Sequence, residues 1–266
     1  MVPKAPANDY IGRFREILSD PLNLLIERHP LAGTVANGLV YLHNGHRVPF
    51  VGPAAYYQGF SLILALNRGV HEPLEEYVFQ EWLKLLPPSP AMLELGAYWG
   101  HYSMWLKKLR PDAAVHLVEP EPHNLQIGRE NFERNGYRGE FVQSFVGRGH
   151  FTVDAYLEAK GLARLDALHA DIQGYELEML AGASTYLERH LIDYLFVSTH
   201  SQELHREITQ GLSHLGYQIE VSADFDRETT SHDGFLLASS PKAARVFREF
   251  QPLGRSQITE SRPGDL

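Results

Sequence analysis

A strand, a glycine turn and a helix follow one another without interruption in residues 91–106, AMLELGAYWGHYSMWL. The first five residues are apolar except for Glu94, as expected of a strand buried on both faces of a parallel sheet. Gly96 and Gly100 bracket the turn, and from His101 the apolar residues recur at helical spacing. This order predicts the opening unit of a nucleotide-binding α/β fold, in which the turn amides and the helix N-terminus approach a ligand.

Alternating strand and helix patterns continue to about residue 240. They predict an α/β fold with a doubly wound, mostly parallel, Rossmann-like sheet of seven strands. Residues 1–72 do not fit this alternation, since they contain short helices and a hairpin signal at Asn44-Gly45. We therefore predict an N-terminal helical and hairpin cap at 1–72, which covers the substrate side of the cleft. The Rossmann-like domain is predicted at 73–240, and a C-terminal helix and fraying tail at 241–266. Residues 1–9 are expected to be a disordered leader.

The formal net charge of −9 is spread along the chain without an acidic block. It argues against a broad nucleic-acid or anionic-membrane footprint. The absence of cysteine excludes disulfides, thiolate metal sites and cysteine nucleophiles. No secretory signal and no apolar run of membrane-spanning length is visible. We expect a cytoplasmic enzyme with a small-molecule substrate, and homo-oligomerisation stays open.

The glycine turn and a later acid together indicate a nucleoside cofactor. Glu119 ends the second predicted strand about twenty residues after the turn, where an acid can bond ribose hydroxyls. The spacing Glu94-x-Gly96-x-x-x-Gly100 lacks the third glycine of pyrophosphate binders. It resembles the first motif of class I S-adenosylmethionine (SAM) methyltransferases. The resemblance implies that the following residues bind the cofactor: Glu94, Gly96, Ala97, Gly100, His101, Tyr102, Glu119, Pro120 and Asp171.

A second motif lies in residues 168–183, LHADIQGYELEMLAGA. With Asp171, Gly174 and Glu176 in matching places, the chain resembles the FkbM-type SAM methyltransferases over about residues 75–240. It departs from them at Gln173, where the family usually has Glu. The resemblance implies methyl transfer to a hydroxyl or carboxyl oxygen of a small molecule such as a sugar or natural product, with S-adenosylhomocysteine (SAH) as the other product.

Two polar residues end the fourth and fifth predicted strands. Asp171 and His200 can reach one ligand if those strands are neighbours, since ligands bind outside the carboxyl ends of an open α/β sheet. An aspartate that orients a histidine makes a base for a hydroxyl substrate. We therefore predict Asp171 and His200 as the catalytic pair.

Other interpretations of the site and of the function stay open at this point. A divalent metal is not favoured, although His205, Asp224, Asp226, His232 and Asp233 could complete a site with Asp171 and His200. Surface roles are favoured over cleft-lining roles for His43, His46, Tyr56 and Tyr57. The alternative functions are methylation of a peptide side chain, a nucleotide-dependent dehydrogenase, and a non-catalytic protein that binds a nucleoside or a partner.

Overall fold

A computed structural model describes residues 10–225 and 227–262. Its strands are β1 (Val35–Ala36), β2 (Leu39–Tyr41), β3 (Arg47–Pro49), β4 (Ala91–Leu95), β5 (Ala114–Val118), β6 (Glu140–Val142), β7 (Leu165–Ala170), β8 (Ile192–Thr199), β9 (Gln218–Ala223) and β10 (Gly234–Ser239). Its α-helices are α1 (Tyr10–Ser19), α2 (Leu62–Leu66), α3 (Pro73–Leu83), α4 (His101–Leu109), α5 (Pro122–Arg134), α6 (Val153–Lys160), α7 (Glu176–Gly182), α8 (Ser184–Glu188), α9 (Gln202–His214) and α10 (Arg255–Glu260). Short 3₁₀ helices lie at Pro21–Leu24 and Tyr56–Gly59.

Seven strands form the main sheet in the order β6-β5-β4-β7-β8-β10-β9. Strand β10 runs antiparallel to both of its neighbours, and the pairs from β6 to β8 are parallel. The predicted doubly wound, mostly parallel seven-stranded sheet is confirmed. The strand order reverses between β4 and β7, and in such sheets ligands bind at the carboxyl edge beside this point.

The glycine turn after β4 passes directly against the end of β7. Gly96 has φ 72°, and a Cβ atom there would lie 1.7 Å from the carbonyl oxygen of Asp171. Gly100 has φ 74°, and a Cβ there would lie 2.8 Å from the Phe132 ring. Both positions require glycine, because side chains rarely adopt this backbone conformation and there is no room for one.

The cap contains the predicted hairpin, but it shares its core with the main domain. Strands β1, β2 and β3 form a small antiparallel sheet, in which β2 and β3 flank Asn44-Gly45. After the hairpin, the 3₁₀ helix at Tyr56–Gly59 leads into α2. Ile17 and Val40 are fully buried in the same apolar cluster as Phe196 of β8. The boundary at residue 72 stays a prediction, and the predicted leader at 1–9 lies outside the described residues.

The C-terminal segment differs from the prediction. We expected a helix soon after Pro241 and then a fraying tail, but α10 begins at Arg255. Arg255 is buried and forms ion pairs with Glu16 of α1 and with Glu228. These ion pairs hold α10 against α1, which a polar composition did not indicate. The end of the predicted tail, 263–266, lies outside the described residues.

Within 10–225 and 227–262, no helix is both long and apolar enough to cross a membrane.

Candidate active site

A cavity of about 740 Å³ lies between the cap and the carboxyl edge of the main sheet. Small-molecule sites usually have volumes of about 300–1,000 Å³. Gly100 and His200 are absent from its lining, whereas the other predicted site residues line it. These are Glu94, Gly96, Ala97, His101, Tyr102, Glu119, Pro120 and Asp171.

Glu119 holds the glycine turn as well as lining the cavity. One carboxylate oxygen accepts from the backbone N–H of Tyr98 at 3.0 Å, and the other accepts from the N–H of Glu121 at 3.0 Å. Tyr98 has φ 42°, so this hydrogen bond fixes a residue in a sparsely populated conformation. Burial raises the pKa of Glu119 against these hydrogen bonds. The carboxylate is thus rigidly placed at the end of β5.

Glu94 satisfies the exposed amides at the start of α4. Gly100 stands at the N-cap and has no side chain to accept these N–H groups, and Glu94 Oε2 accepts from the N–H of Ser103 at 3.0 Å instead. Burial raises the pKa of Glu94 to about 7. The structure thus shows Glu94 in contact with the amides at the start of α4.

The predicted catalytic pair is in contact. Strands β7 and β8 are parallel neighbours, and His200 Nε2 lies 3.2 Å from Asp171 Oδ1. The second ring nitrogen, Nδ1, lies 2.7 Å from Glu176 Oε1 at the start of α7. His200 is thereby held between two carboxylates, and both of its ring nitrogens are engaged.

These contacts do not fit the base role predicted for His200. Burial lowers its pKa, but the hydrogen bonds and charges of the two carboxylates outweigh burial and raise the pKa to about 10. Burial alone would raise the pKa of Asp171, and His200 outweighs that effect and lowers it. At neutral pH His200 is therefore a cation behind an ionised Asp171, and it has no capacity to accept a proton.

Gln173 lies beside the same two side chains. Its side-chain nitrogen donates to Asp171 Oδ1 at 3.1 Å and lies 2.8 Å from His200 Nε2. The Glu that the FkbM pattern has here would bring a third carboxylate to the imidazole. The neutral amide of Gln173 donates to Asp171 and adds no third negative charge beside His200.

The cap side contributes Glu72, which the sequence analysis missed. Glu72 precedes α3 without capping it, and the carboxyl group faces the cavity. The hydroxyl of Tyr102 donates to its Oε2 at 3.1 Å, and His71 Nε2 lies 3.4 Å from the same atom. Burial raises the pKa of Glu72 to about 7; Asp171 adds to the shift and His71 opposes it. The available sequence signal was an acid immediately before the helix proline.

Several cap side chains differ from their predicted surface roles. Tyr56 and Tyr57 line the cavity, whereas His43 and His46 are buried away from it. The exposed aromatic residues Tyr57, Phe145 and Tyr175 all belong to the lining.

The metal site considered around Asp171 does not form among the described residues. His205 bonds Thr199 and Ser222 instead, at 2.9 Å each, and His232 pairs with Glu16. Asp226 lies outside the described part of the chain. One group of three ligating side chains does come together in that part, and it lies elsewhere, at His43, Glu76 and His101.

Two comparisons with known proteins each match a part of the chain. Residues 148–219 match the family model of the methyltransferase FkbM domain. A 70-residue segment is 41% identical to a protein-L-isoaspartate O-methyltransferase of Aeropyrum pernix, and this match covers 25% of the chain and 26% of the relative. The chain thus spans about a quarter of that curated relative.

Solved structures with a similar arrangement include a precorrin-6y C5,15-methyltransferase of Geobacter metallireducens. It is 18% identical, with a TM-score of 0.47 over 62% of this chain and 89% of that one. A tRNA (uracil-54, C5)-methyltransferase of Pyrococcus abyssi in complex with SAH is 13% identical, with a TM-score of 0.49 over 77% of this chain and 44% of that one. The exclusion of nucleic-acid substrates stays a prediction.

The matched segment contains Asp171, Gln173, Glu176 and His200, the residues on which the second motif and the catalytic pair depend. This match over residues 148–219 confirms the predicted resemblance to the FkbM methyltransferase domain.

Proposed function

We propose that the protein is a SAM-dependent methyltransferase that methylates a hydroxyl oxygen of a small molecule. The observation that carries this proposal is the charge of the cavity. Of the described residues, six carboxyl side chains and one arginine, Arg13, line it; the six are Glu72, Glu75, Glu94, Glu119, Asp171 and Asp233. SAM carries a net positive charge, because its sulfonium and ammonium groups outnumber its one carboxylate, whereas a nicotinamide dinucleotide would bring two phosphates that this acidic wall repels.

The crowded carboxyl groups also favour a cationic ligand. Burial, together with the charges of Asp171 and its neighbours, raises the pKa of Glu72 and of Glu75. A bound cation would favour the ionised forms of these carboxyl groups and would relieve the repulsion among them.

The residues fit SAM in a definite way. Glu119 would bond the ribose hydroxyls, and Gly96 leaves the turn bare for close approach of the cofactor. Asp171, kept ionised by His200, would orient the polar end of the cofactor or the acceptor. When bound, SAM supplies an electrophilic methyl group, so the protein has to align the acceptor and remove its proton.

We assign the role of accepting that proton to Glu72, and a positioning role to His200. As the acceptor oxygen bonds to the methyl carbon, the bond from that carbon to sulfur breaks and the hydroxyl proton passes to the Glu72 carboxylate. A base with a pKa near the working pH is the most effective. Glu72 meets this condition with a pKa of about 7.

The side chains that line the cavity also indicate which kind of acceptor it can bind. Tyr57, Phe145 and Tyr175 offer aromatic faces on which a sugar or natural-product ring can pack. The acidic lining favours a hydroxyl over a carboxylate acceptor. A peptide carboxyl group is the second candidate, favoured by the local identity to a protein-L-isoaspartate O-methyltransferase.

Calorimetric titration with SAH, SAM and NADH tests the cofactor, and we expect binding of the first two alone. Methyl-labelled SAM should then be offered with pairs of acceptors that differ only in a hydroxyl or a carboxylate group. Transfer to the hydroxyl member supports the proposal. Binding of NADH in place of SAH contradicts it, and SAH binding without transfer to any acceptor would favour a non-catalytic binding protein.

A further inference from the structure

A second cluster of polar side chains lies between the cap, α3 and α4, and it has no part in the proposed reaction. His43 lies in the cap turn between β2 and β3, Glu76 lies in α3, and His101 is the first residue of α4. One ligating atom from each of the three lies within 4.8 Å of the others. Their exposures are 0%, 0% and 1%, so the cluster is closed to bulk water.

His101 is the unusual member of this cluster. Neither of its ring nitrogens has a hydrogen-bond partner among the described residues, although the residue is 1% exposed. Buried polar groups in native proteins nearly always have a partner, and an imidazole without one is energetically unfavourable. The ring stacks on Trp99, with centroids 5.4 Å apart and planes 16° apart, so its orientation is fixed.

Glu76 is oriented as a metal-binding carboxylate would be. Its Oε1 accepts from the backbone N–H groups of His71 and Glu72 at 2.8 and 3.1 Å, and lies 2.6 Å from His71 Nδ1. These contacts hold one oxygen and direct Oε2 toward His43 Nε2, 2.8 Å away. Outer hydrogen bonds of this kind orient the ligands of protein metal sites.

We propose that His43, Glu76 and His101 form a binding site for one divalent transition-metal ion, with Zn²⁺ as the best fit. Two imidazoles and one carboxylate are a ligand set that zinc accepts in tetrahedral sites with a fourth position left open. Mg²⁺ and Ca²⁺ prefer oxygen ligands and more of them. An ion pair between His43 and Glu76 alone would explain those two residues but would leave His101 unexplained.

The site would connect the cap to the cofactor turn. His101 follows Gly100 directly and also lines the cavity, and His43 belongs to the cap turn. The bound ion would thus fix the cap over the cavity. Sequence spacing did not indicate the site, because its ligands are far apart along the chain and no compact metal motif exists.

Zinc binding to the metal-stripped full-length protein tests the proposal. We expect one zinc per chain after dialysis, measured by elemental analysis, and a higher Tm with zinc than with Mg²⁺. X-ray absorption should show nitrogen ligands at about 2.0–2.1 Å. Changes to outer contacts alone cost about 10–100-fold in metal affinity, so loss of a ligand in His101→Phe should cost at least about 100-fold.

The matched control is His169→Phe. His169 is also a buried histidine that lines the cavity and has an unpartnered Nδ1, but it lies outside the cluster. It should keep zinc affinity, and Glu76→Gln should lose it if that variant folds. Zinc absent from the wild type, or equal zinc affinity in wild type and His101→Phe, would overturn the proposal. SAH binding, measured on the same samples, tests the proposed function separately.

Discussion

The two walls of the cavity are built in different ways. The sheet wall comes from strand ends, where acids such as Glu94 and Glu119 bond backbone amides and make each turn rigid. The cap wall comes from side chains before α3, where Glu72 is held by Tyr102 and His71 across the interface between elements. The contrast suggests a division of work, in which the sheet wall binds the cofactor and the cap wall handles the acceptor.

The largest expected effect is on the cap wall. Glu72→Gln should lower kcat by about 10²–10⁴-fold, the usual contribution of a positioned base, and leave SAH affinity nearly unchanged. The measurement is steady-state methyl transfer with calorimetry on the same variant.

Glu75→Gln is the control for Glu72. Burial raises the pKa of Glu75 well above its usual range, and Ser198 donates to its carboxyl group, so an amide should replace it with little change in charge. Equal losses of kcat in the two variants would show that Glu72 has no special role as a base.

On the sheet wall the strongest change should be Gly96→Ala. The new methyl group would overlap the Asp171 carbonyl, and a left-handed conformation adds about 1–2 kcal/mol. Overpacking adds about 1–3 kcal/mol, so we expect the unfolding free energy to fall by about 2–5 kcal/mol. We also expect the variant to lose SAH binding. Urea denaturation and calorimetry measure both.

Gly38→Ala separates conformation from overlap. Gly38 lies in the cap with φ 74°, nearly the φ of Gly96, and nothing lies within 4 Å of an added Cβ. Gly38→Ala should lose only the conformational contribution of about 1–2 kcal/mol in unfolding free energy. It should therefore be clearly more stable than Gly96→Ala. Similar stabilities would mean that the close approach of the turn to β7 is not required.

Next in size is Glu119→Ala, which should weaken SAH binding about tenfold or more. The lost hydrogen bonds of a charged group are worth about 1.5–3 kcal/mol. The exposed neighbour Glu121 provides the control, because Glu121→Ala removes a nearby acid and leaves the backbone N–H that Glu119 holds. Unchanged affinity in Glu119→Ala would remove this residue from the cofactor site.

The same contrast explains what the sequence could predict. The mostly parallel seven-stranded sheet and most of the sheet wall follow from local patterns, since Glu94, Gly96 and Gly100 lie close together in the sequence. Contacts between distant segments left no such pattern. Glu72 meets Tyr102, and Arg255 of the expected tail pairs with Glu16, only because the chain brings α3, α4, α1 and α10 together.

His200 lies beside Asp171, and its contacts do not fit the base that the pattern indicated. The pattern showed that it follows a strand beside Asp171, and the structure puts the two in contact. Asp171 and a second carboxylate, Glu176, together raise the pKa of the imidazole and make it a cation at neutral pH. The position of Glu176 in the FkbM pattern was recognised, but its contact with His200 depends on how α7 packs beside β8.

The smallest effect should come from His200→Gln, and it depends on pH. Its folded pKa of about 10 lies above the ordinary value of 6.5, so its stabilisation is fully present below pH 6.5 and is lost as pH rises through 10. We expect the wild type to exceed the variant by about 1–3 kcal/mol in unfolding free energy at pH 6, and by much less above pH 10. Urea denaturation at both pH values and NMR titration of the His200 ring provide the measurement. A ring that titrates near 6.5 would make His200 an available base at neutral pH. The acceptor's proton would then be assigned to His200 at the sheet wall and not to Glu72 at the cap wall.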